Sequence, residues 1–343
     1  MQTENKNKLL FTLLIIAVTF LFFTNISLGS VTIPFQDIFN GLLGKSMQKE
    51  SWEIILYNFR LPKAITAILV GIGLATCGLL MQTLFRNPLA GPYVLGLSSG
   101  ASLGVALIIL GSGLLPASIA HYFLSGYGLI LASGLGSFFV FMAVIIVANR
   151  IKDTMSILIV GLMFSSFTSA IVSILSYFST AEQLQKYTFW AMGSISNLAW
   201  KDIIILSFLV VIGLLITLLV LKPLNALLLG ERYAKSIGIN FSKTKFLIII
   251  ATSILAGSIT ALVGPIAFIG LAVPHIAKLI FKTSNHFILF GSTLLIGALV
   301  MLICDTIAQL PGNDITLPIN AITSIFGAPV VVWLLLCKRK IQL

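Results

Sequence analysis

Charge is scarce in this chain. Of its 343 residues only 9% are charged, and just ten are acidic, whereas 58% are apolar. A soluble domain carries about 25% charge and ~45–50% apolar residues, so so few charges could not keep this excess apolar surface in water. A bilayer-spanning helix takes about 20 apolar residues, and roughly 199 of them suffice for about ten spans. That excludes a soluble enzyme, a nucleic-acid-binding domain and a single-pass receptor. The apolar runs are continuous rather than alternating at period 2, which argues against an outer-membrane barrel. What remains is an all-α polytopic membrane protein, a single domain over residues 1–343 whose solvent is the lipid bilayer.

Cysteine and histidine are equally sparse, with three of each. Cys77, Cys304 and Cys337 have no CxxC spacing and lie in apolar runs, as small embedded residues do. His121, His275 and His286 are too scattered for a zinc motif. No phosphate-binding loop is present: the nearest string is Gly44-Lys45-Ser46, and the required glycine five positions earlier is Phe39. Carboxylates at membrane depth, which ion-coupled transporters keep for function, reduce to Asp305, with His275 nearer the end of a span. Asp305 is either a relay or a packing or capping residue near the outer end of its span, and one carboxylate without a partner makes a poor relay. A membrane-embedded enzyme would need a cluster of His, Cys or paired carboxylates that the sequence lacks. If the chain transports a solute, its energy source lies on another subunit.

The continuous apolar stretches predict spans near 9–28, 61–84, 93–115, 125–148, 155–180, 203–221, 244–263, 267–281, 288–308 and 317–336. The eighth follows Gly264-Pro265 and is short enough to be a half-helix buried against its neighbours. Segment 184–199 is too polar to span and is expected to be a short interfacial or re-entrant helix. With both termini in the cytoplasm, fifteen of the 21 basic residues fall inside, in accord with the positive-inside rule. The other six are Lys45, Lys49, Arg60, Lys63, Lys186 and Lys201. The net charge of +11 is therefore mainly an orientation signal. Cleavage of the N-terminal run as a signal peptide, with Ser27-Leu28-Gly29 as the site, would leave nine spans and set the basic C-terminal tail against that rule. Stretches 78–104 and 257–281 both mix Gly and Pro into apolar sequence, as equivalent parts of an inverted repeat would.

Three constellations stand out. The cytoplasmic loop 222–243 carries Leu229, Gly230, Glu231, Ala234 and Gly238, with the small residues at four-residue spacing. They form either a flat helical face for another protein or part of an ordinary solvated loop. Arg60 and Lys63 lie three residues apart at the outer end of the second span, where they either dock an acidic partner or snorkel to headgroups. Ser166, Ser169, Ser173, Ser176 and Thr180 form one polar seam along the fifth span. Such a seam can line a water-filled path or favour tight packing in lipid.

At these residues the sequence resembles the FecCD family, the permeases of bacterial ABC importers for iron-siderophores, haem and cobalamin. The resemblance rests on Arg60-Leu61-Pro62-Lys63, CGLLMQTLFRNPLAGPYVLGLSSGASLG at 77–104, LLLGERYAKSIGI at 227–239, GPIAFIGLAVPHIAKL at 264–279 and LPINAITSIFGAP at 317–329. It implies a ten-helix permease of the cytoplasmic (inner) membrane, of the kind that imports cobalamin, acting as a homodimer or with a close paralogue. Two ATPase subunits that use ATP and Mg are implied inside, and a periplasmic or lipid-anchored substrate-binding protein outside. This chain itself binds no cofactor, metal or nucleic acid on that reading. The resemblance assigns Leu229, Gly230, Glu231, Ala234 and Gly238 to coupling with the ATPase, and Arg60 and Lys63 to glutamates of the binding protein. It sets the serine seam beside the pathway. Ferric siderophore is the expected cargo, with haem or cobalamin as the other candidates. Many relatives carry a basic residue where Gln309 stands, so one docking contact is in doubt. An ion-coupled transporter acting without an ATPase is the alternative.

Overall fold

The computed structural model describes residues 2–91, 93, 96–114, 124, 126–150, 154–196, 198–310, 312 and 315–338. His121, Lys152, Arg339 and Lys340 lie outside the described residues, as do the side chains of Glu231 and Cys337. Among the described residues every regular element is helical. In chain order they are α1 (Gln2–Ser27), α2 (Phe35–Leu42) and α3 (Glu50–Ile55), which runs through a π turn (Leu56–Arg60) into α4 (Leu61–Leu84). Then come α5 (Leu97–Ile109), α6 (Gly126–Arg150), α7 (Thr154–Tyr177) and α8 (Ala181–Met192). The remainder are α9 (Trp200–Leu228), α10 (Glu231–Ser236), α11 (Phe241–Val263), α12 (Ile269–Phe281), α13 (His286–Ala308) and α14 (Ile319–Lys338).

Six described stretches are long and apolar enough to cross a membrane, and four shorter apolar ones fall at the other expected positions. The differences from the sequence reading lie at the ends. The third expected span holds a helix of only 13 residues, α5, and the eighth is the 13-residue α12. The second begins at Glu50, because the polar segment before Arg60 is already helical. The sixth runs on to Leu228 with Pro223 inside it. The polar segment after α7 is the short helix α8, opened by a capping box in which Thr180 Oγ1 accepts from the Gln183 amide.

Lipid offers no hydrophobic force between helices, so close backbone approach at small residues does the packing. The α4 stretch is the central one: 78% of its apolar window is buried, against 11% for α1 and for α7. It crosses α13 where Gly71 meets Gly297, and a Cβ at Gly297 would lie 2.4 Å from the Gly71 carbonyl oxygen. A Cβ on Gly78 would strike the Gly270 carbonyl of α12. The α5–α6 crossing repeats the device at Gly100 and Gly136.

The two stretches read as possible repeats have the same construction. Each is the end of a long helix, a turn closed by a left-handed residue (Gly96, φ 83°; Phe268, φ 67°), and a 13-residue helix. Helix α4 packs on α12 and α13, while α11 packs on α5 and α6. Phe268, which unlike glycine carries a steric penalty in that conformation, is accommodated because Gly327 of α14 leaves room for its ring.

Gly297→Val is expected to destabilise the protein by roughly 1–3 kcal/mol through overpacking, whereas Gly134→Ala, whose added Cβ would meet nothing within 4 Å, is expected to be neutral. Thermal melting in detergent checks both.

Candidate functional site

The basic pair at the start of α4 is turned into the chain. Helix α1 ends with carbonyls that have no partner within the helix, and the Arg60 guanidinium fills that need. Its Nη1 donates to the Ile26 and Ser27 carbonyls, each at 2.7 Å, and its Nη2 to the Val31 carbonyl. The guanidinium lies against Gly29, where a Cβ would come within 2.6 Å of Nη2. Arg60 is 7% exposed, so it neither snorkels nor stands open to a partner: it fastens the end of α1.

Lys63 is engaged as well. Its Nζ lies 3.1 Å from Asp305 Oδ1, with the lysine side chain 12% exposed and the carboxylate 1%. The amides of Asn25 on α1 and Gln309 after α13 both donate to Asp305 Oδ2 at 2.9 Å. This corrects the reading of Asp305 as a carboxylate without a partner. It is the hub of a polar cluster joining α1, α4 and α13, and a closed ion pair of this kind is not an open proton relay. Asn25 was missed; its signal is a single amide in the apolar run that closes α1.

Beside the pair is a partly open cavity of about 400 Å³. Lys63 and Asp305 lie on one side of it, and Phe189, Ser194, Ser196 and Thr316 contribute to the rest. Helix α8 is held there by its contacts with neighbouring elements. Tyr187 and Ser102 share a hydrogen bond of 2.5 Å, Gln183 donates to Ser112 at 2.8 Å, and Trp190 donates to the Ala261 carbonyl at 3.3 Å. Burial pushes the Tyr187 phenol up from its ordinary pKa. The hydrogen bond from Lys186 holds the Glu182 carboxyl below its usual range, although that exposed pair adds little stability.

On α7, Ser166, Ser169 and Ser173 are exposed and Ser176 is half-buried. Two of these hydroxyls fold back on the helix, Ser166 onto the Leu162 carbonyl and Ser173 onto the Ser169 carbonyl. The exposed side also carries Phe167 and Ile174. Thr180 is not part of this face; it lies beyond the end of α7 and caps α8.

The segment after α9 departs from the expected flat face. Gly230, at φ 115°, and Gly238, at φ 85°, lie outside the short helix α10. Gly238 closes it in a Schellman turn, its N–H donating to the Lys235 carbonyl and that of Ile239 to the Ala234 carbonyl. Ala234 is fully buried, so the small residues shape the turn rather than form a surface. The large apolar side chains that the segment exposes are Leu228, Leu229, Tyr233 and Ile237, beside the polar Lys235 and Ser236. Tyr233 and Ile237 were missed, though their four-residue spacing from Leu229 was visible in the sequence.

This segment is tied to the helix pair at the end remote from Lys63. Asn225 Oδ1 accepts from the His286 backbone N–H at 2.8 Å and lies 2.8 Å from His286 Nδ1, while His286 Nε2 is 2.9 Å from Thr83 Oγ1. Arg86 donates to the Leu227 carbonyl at 3.0 Å. Among the described residues no group of three or more His, Cys, Asp or Glu is placed to hold a metal ion.

The profile of the FecCD transport family matches residues 14–337. The chain is 32% identical to a hemin transport system permease protein of Yersinia pestis over 338 residues, 97% of each chain. It is 35% identical to a vitamin B12 import system permease protein of Citrobacter koseri over 289 residues, 84% of each. A solved structure described as an inward-facing conformation of a metal-chelate type ABC transporter superposes with a TM-score of 0.81 at 28% identity, covering 95% of this chain and 98% of that one.

Removing one partner of a buried ion pair leaves the other charge uncompensated. Lys63→Met is expected to cost ~3–5 kcal/mol, and adding Asp305→Asn to it is expected to restore most of the loss. Melting temperatures of the single and double variants in detergent measure this.

Proposed function

Because the chain belongs to the FecCD transport family, we propose that it is the membrane-spanning permease subunit of an ATP-driven importer of metal chelates. The cargo class follows the names of its relatives, hemin and vitamin B12 among them, and ferric siderophore is our assignment within it. The chain does no covalent chemistry itself. Two ATPase subunits, an extracytoplasmic substrate-binding protein and a second permease copy complete the transporter in the cytoplasmic membrane, with both termini of this chain in the cytoplasm. Free energy enters as the partners' differential affinity for two states of the permease.

The observation that carries this reading is the match of the FecCD transport family to residues 14–337, and the serine face of α7 is our candidate for the pathway. Three exposed serines run along α7, whose apolar window is only 11% buried, and a second copy covering this face, Phe167 and Ile174 included, would set them beside the path. At the other functional surface, Leu229, Tyr233 and Ile237 form an uncovered apolar face on the loop 222–243. An ATPase subunit seated there would receive the loop as a coupling element, with Asn225, His286 and Arg86 connecting it to α4 and α13.

Two experiments test these parts. Tyr233→Asp and Ile237→Asp are expected to abolish co-purification of the ATPase subunit and to lower ATP-dependent uptake more than roughly tenfold, the exposed apolar contact being lost; uptake that persists in vesicles with an ion gradient and no ATP would instead show an ion-coupled carrier. A cysteine at Ser169 or Ser173 is expected to react with a water-soluble, membrane-impermeant thiol reagent in the assembled transporter. No reaction at either position would place this face in lipid.

A further inference from the structure

Helix α2 has three faces. Asp37, Ile38 and Gly41 are buried against the chain, and Gln36 is exposed beside the half-buried Asn40. Between these runs an apolar stripe of Phe35, Phe39 and Leu42, at i, i+4 and i+7, with Leu43 at its end; the four are 40–69% exposed. The helix is held in this pose. Its Gly41 carbonyl accepts from the Tyr57 hydroxyl at 2.7 Å, and Asp37 Oδ1 accepts from the Gln48 N–H at 3.0 Å. A Cβ at Gly41 would lie 3.0 Å from both the Leu56 and the Met47 side chains, so the buried face sits close.

The stripe continues another one. On α1, Leu9, Leu13, Ile16 and Phe20 follow each other at spacings of four, three and four and are 52–65% exposed, on a helix with only 11% of its apolar window buried. Phe23 is the next step of that spacing, and its ring stacks on Phe39 with centroids 4.9 Å apart and planes 14° apart. One apolar surface thus runs along α1 and turns onto α2. Near it stand two tryptophans of the amphipathic kind that gathers at a membrane surface. Lys49 Nζ lies 4.9 Å from the centroid of the Trp52 ring, and the Trp200 indole donates to the Tyr57 carbonyl at 3.0 Å.

We infer that α2 is an interfacial anchor whose stripe seats among the lipids of the leaflet that meets the end of α1, with Gln36 turned to water. This needs only that the chain spans a membrane. The continuity with α1 names the occupant, because the outward side of a spanning helix with so little buried surface already faces lipid. Charge does not select another. The exposed charges following α2 are Lys45, Lys49, Glu50 and Glu53, two of each sign, which complement neither a charged protein nor anionic headgroups. Apolar area is what remains, and it is the force that draws an amphipathic helix into the boundary between headgroups and acyl chains. Through Tyr57 on the Gly41 carbonyl, the anchor also holds the π turn that carries Arg60 at that depth.

The test places p-benzoylphenylalanine at Phe35, Phe39, Leu42 or Gln36 in turn, in the full transporter in phosphatidylcholine nanodiscs. After irradiation, adducts are identified by mass spectrometry. Phospholipid adducts at the three stripe positions are expected to exceed those at Gln36 roughly tenfold, a preference worth about 1.4 kcal/mol. They are expected to change by less than about twofold when phosphatidylglycerol is mixed in, as seating by apolar area requires. Equal lipid adducts at all four positions overturn the anchor. Adducts formed mainly with the second permease copy, or with the binding protein when it is present, assign the stripe to that protein and overturn it too. Lipid adducts that form only with phosphatidylglycerol overturn seating by apolar area. Lipid labelling requires neither ATP nor cargo, so failure of the permease reading leaves this result intact.

Discussion

The contact on which the rest of the molecule depends is the crossing of α4 and α13. In lipid two helices gain little by hiding apolar surface from each other, so their association rests on how closely their backbones approach. Gly71 and Gly297 bring them into backbone contact at the crossing. Each end is then closed by polar side chains that would be costly to leave unpaired at membrane depth: Lys63 with Asp305 at one, Thr83 with His286 at the other. A pair of antiparallel helices fastened at three levels is stiff. Helix α1 is attached to one end through Asn25 and Arg60, and the segment after α9 to the other through Asn225 and Arg86.

Against that stiff pair the α5–α8 region has a different character. The outer part of α5 forms its own small apolar cluster with residues of α6, α7 and α8, separate from the main core. Small residues line its meeting with α11, where Gly257 faces Gly134 and Ser137. The exposed serines belong to this region, and the cavity lies where α8 meets the ends of α4 and α13. The cavity and the loop after α9 thus adjoin opposite ends of the α4–α13 pair, whereas α7 packs on α5 and α6.

Much of this was legible beforehand. The ten apolar positions, the half-helix after Gly264-Pro265 and the short helix after the fifth span all follow from run length and polarity, which are local properties. The two Gly/Pro-bearing stretches compared as a possible inverted repeat were visible, although their shared left-handed turn was not. Less legible were the partners of single polar residues. Asp305 and Lys63 are 242 positions apart, and no periodicity links them. Arg60 was expected to face outward because basic residues at a helix end usually do; the unpaired carbonyls ending α1 were the stronger demand. On the loop after α9, spacing drew attention to the small residues, which serve the turn, while the apolar triplet at the same spacing forms the exposed face.

The sequence by itself determined the class of protein and the order of its helices. An apolar run of sufficient length must satisfy its own backbone as a helix in lipid, whatever surrounds it. Only the tertiary structure decided what the few charges do. A buried charge takes its role from whichever neutralising group lies within a few ångströms, and that neighbour is set by how distant helices pack. Scarcity of charge, legible from composition, named the residues to watch; packing gave Arg60 to the end of α1 and Lys63 to Asp305.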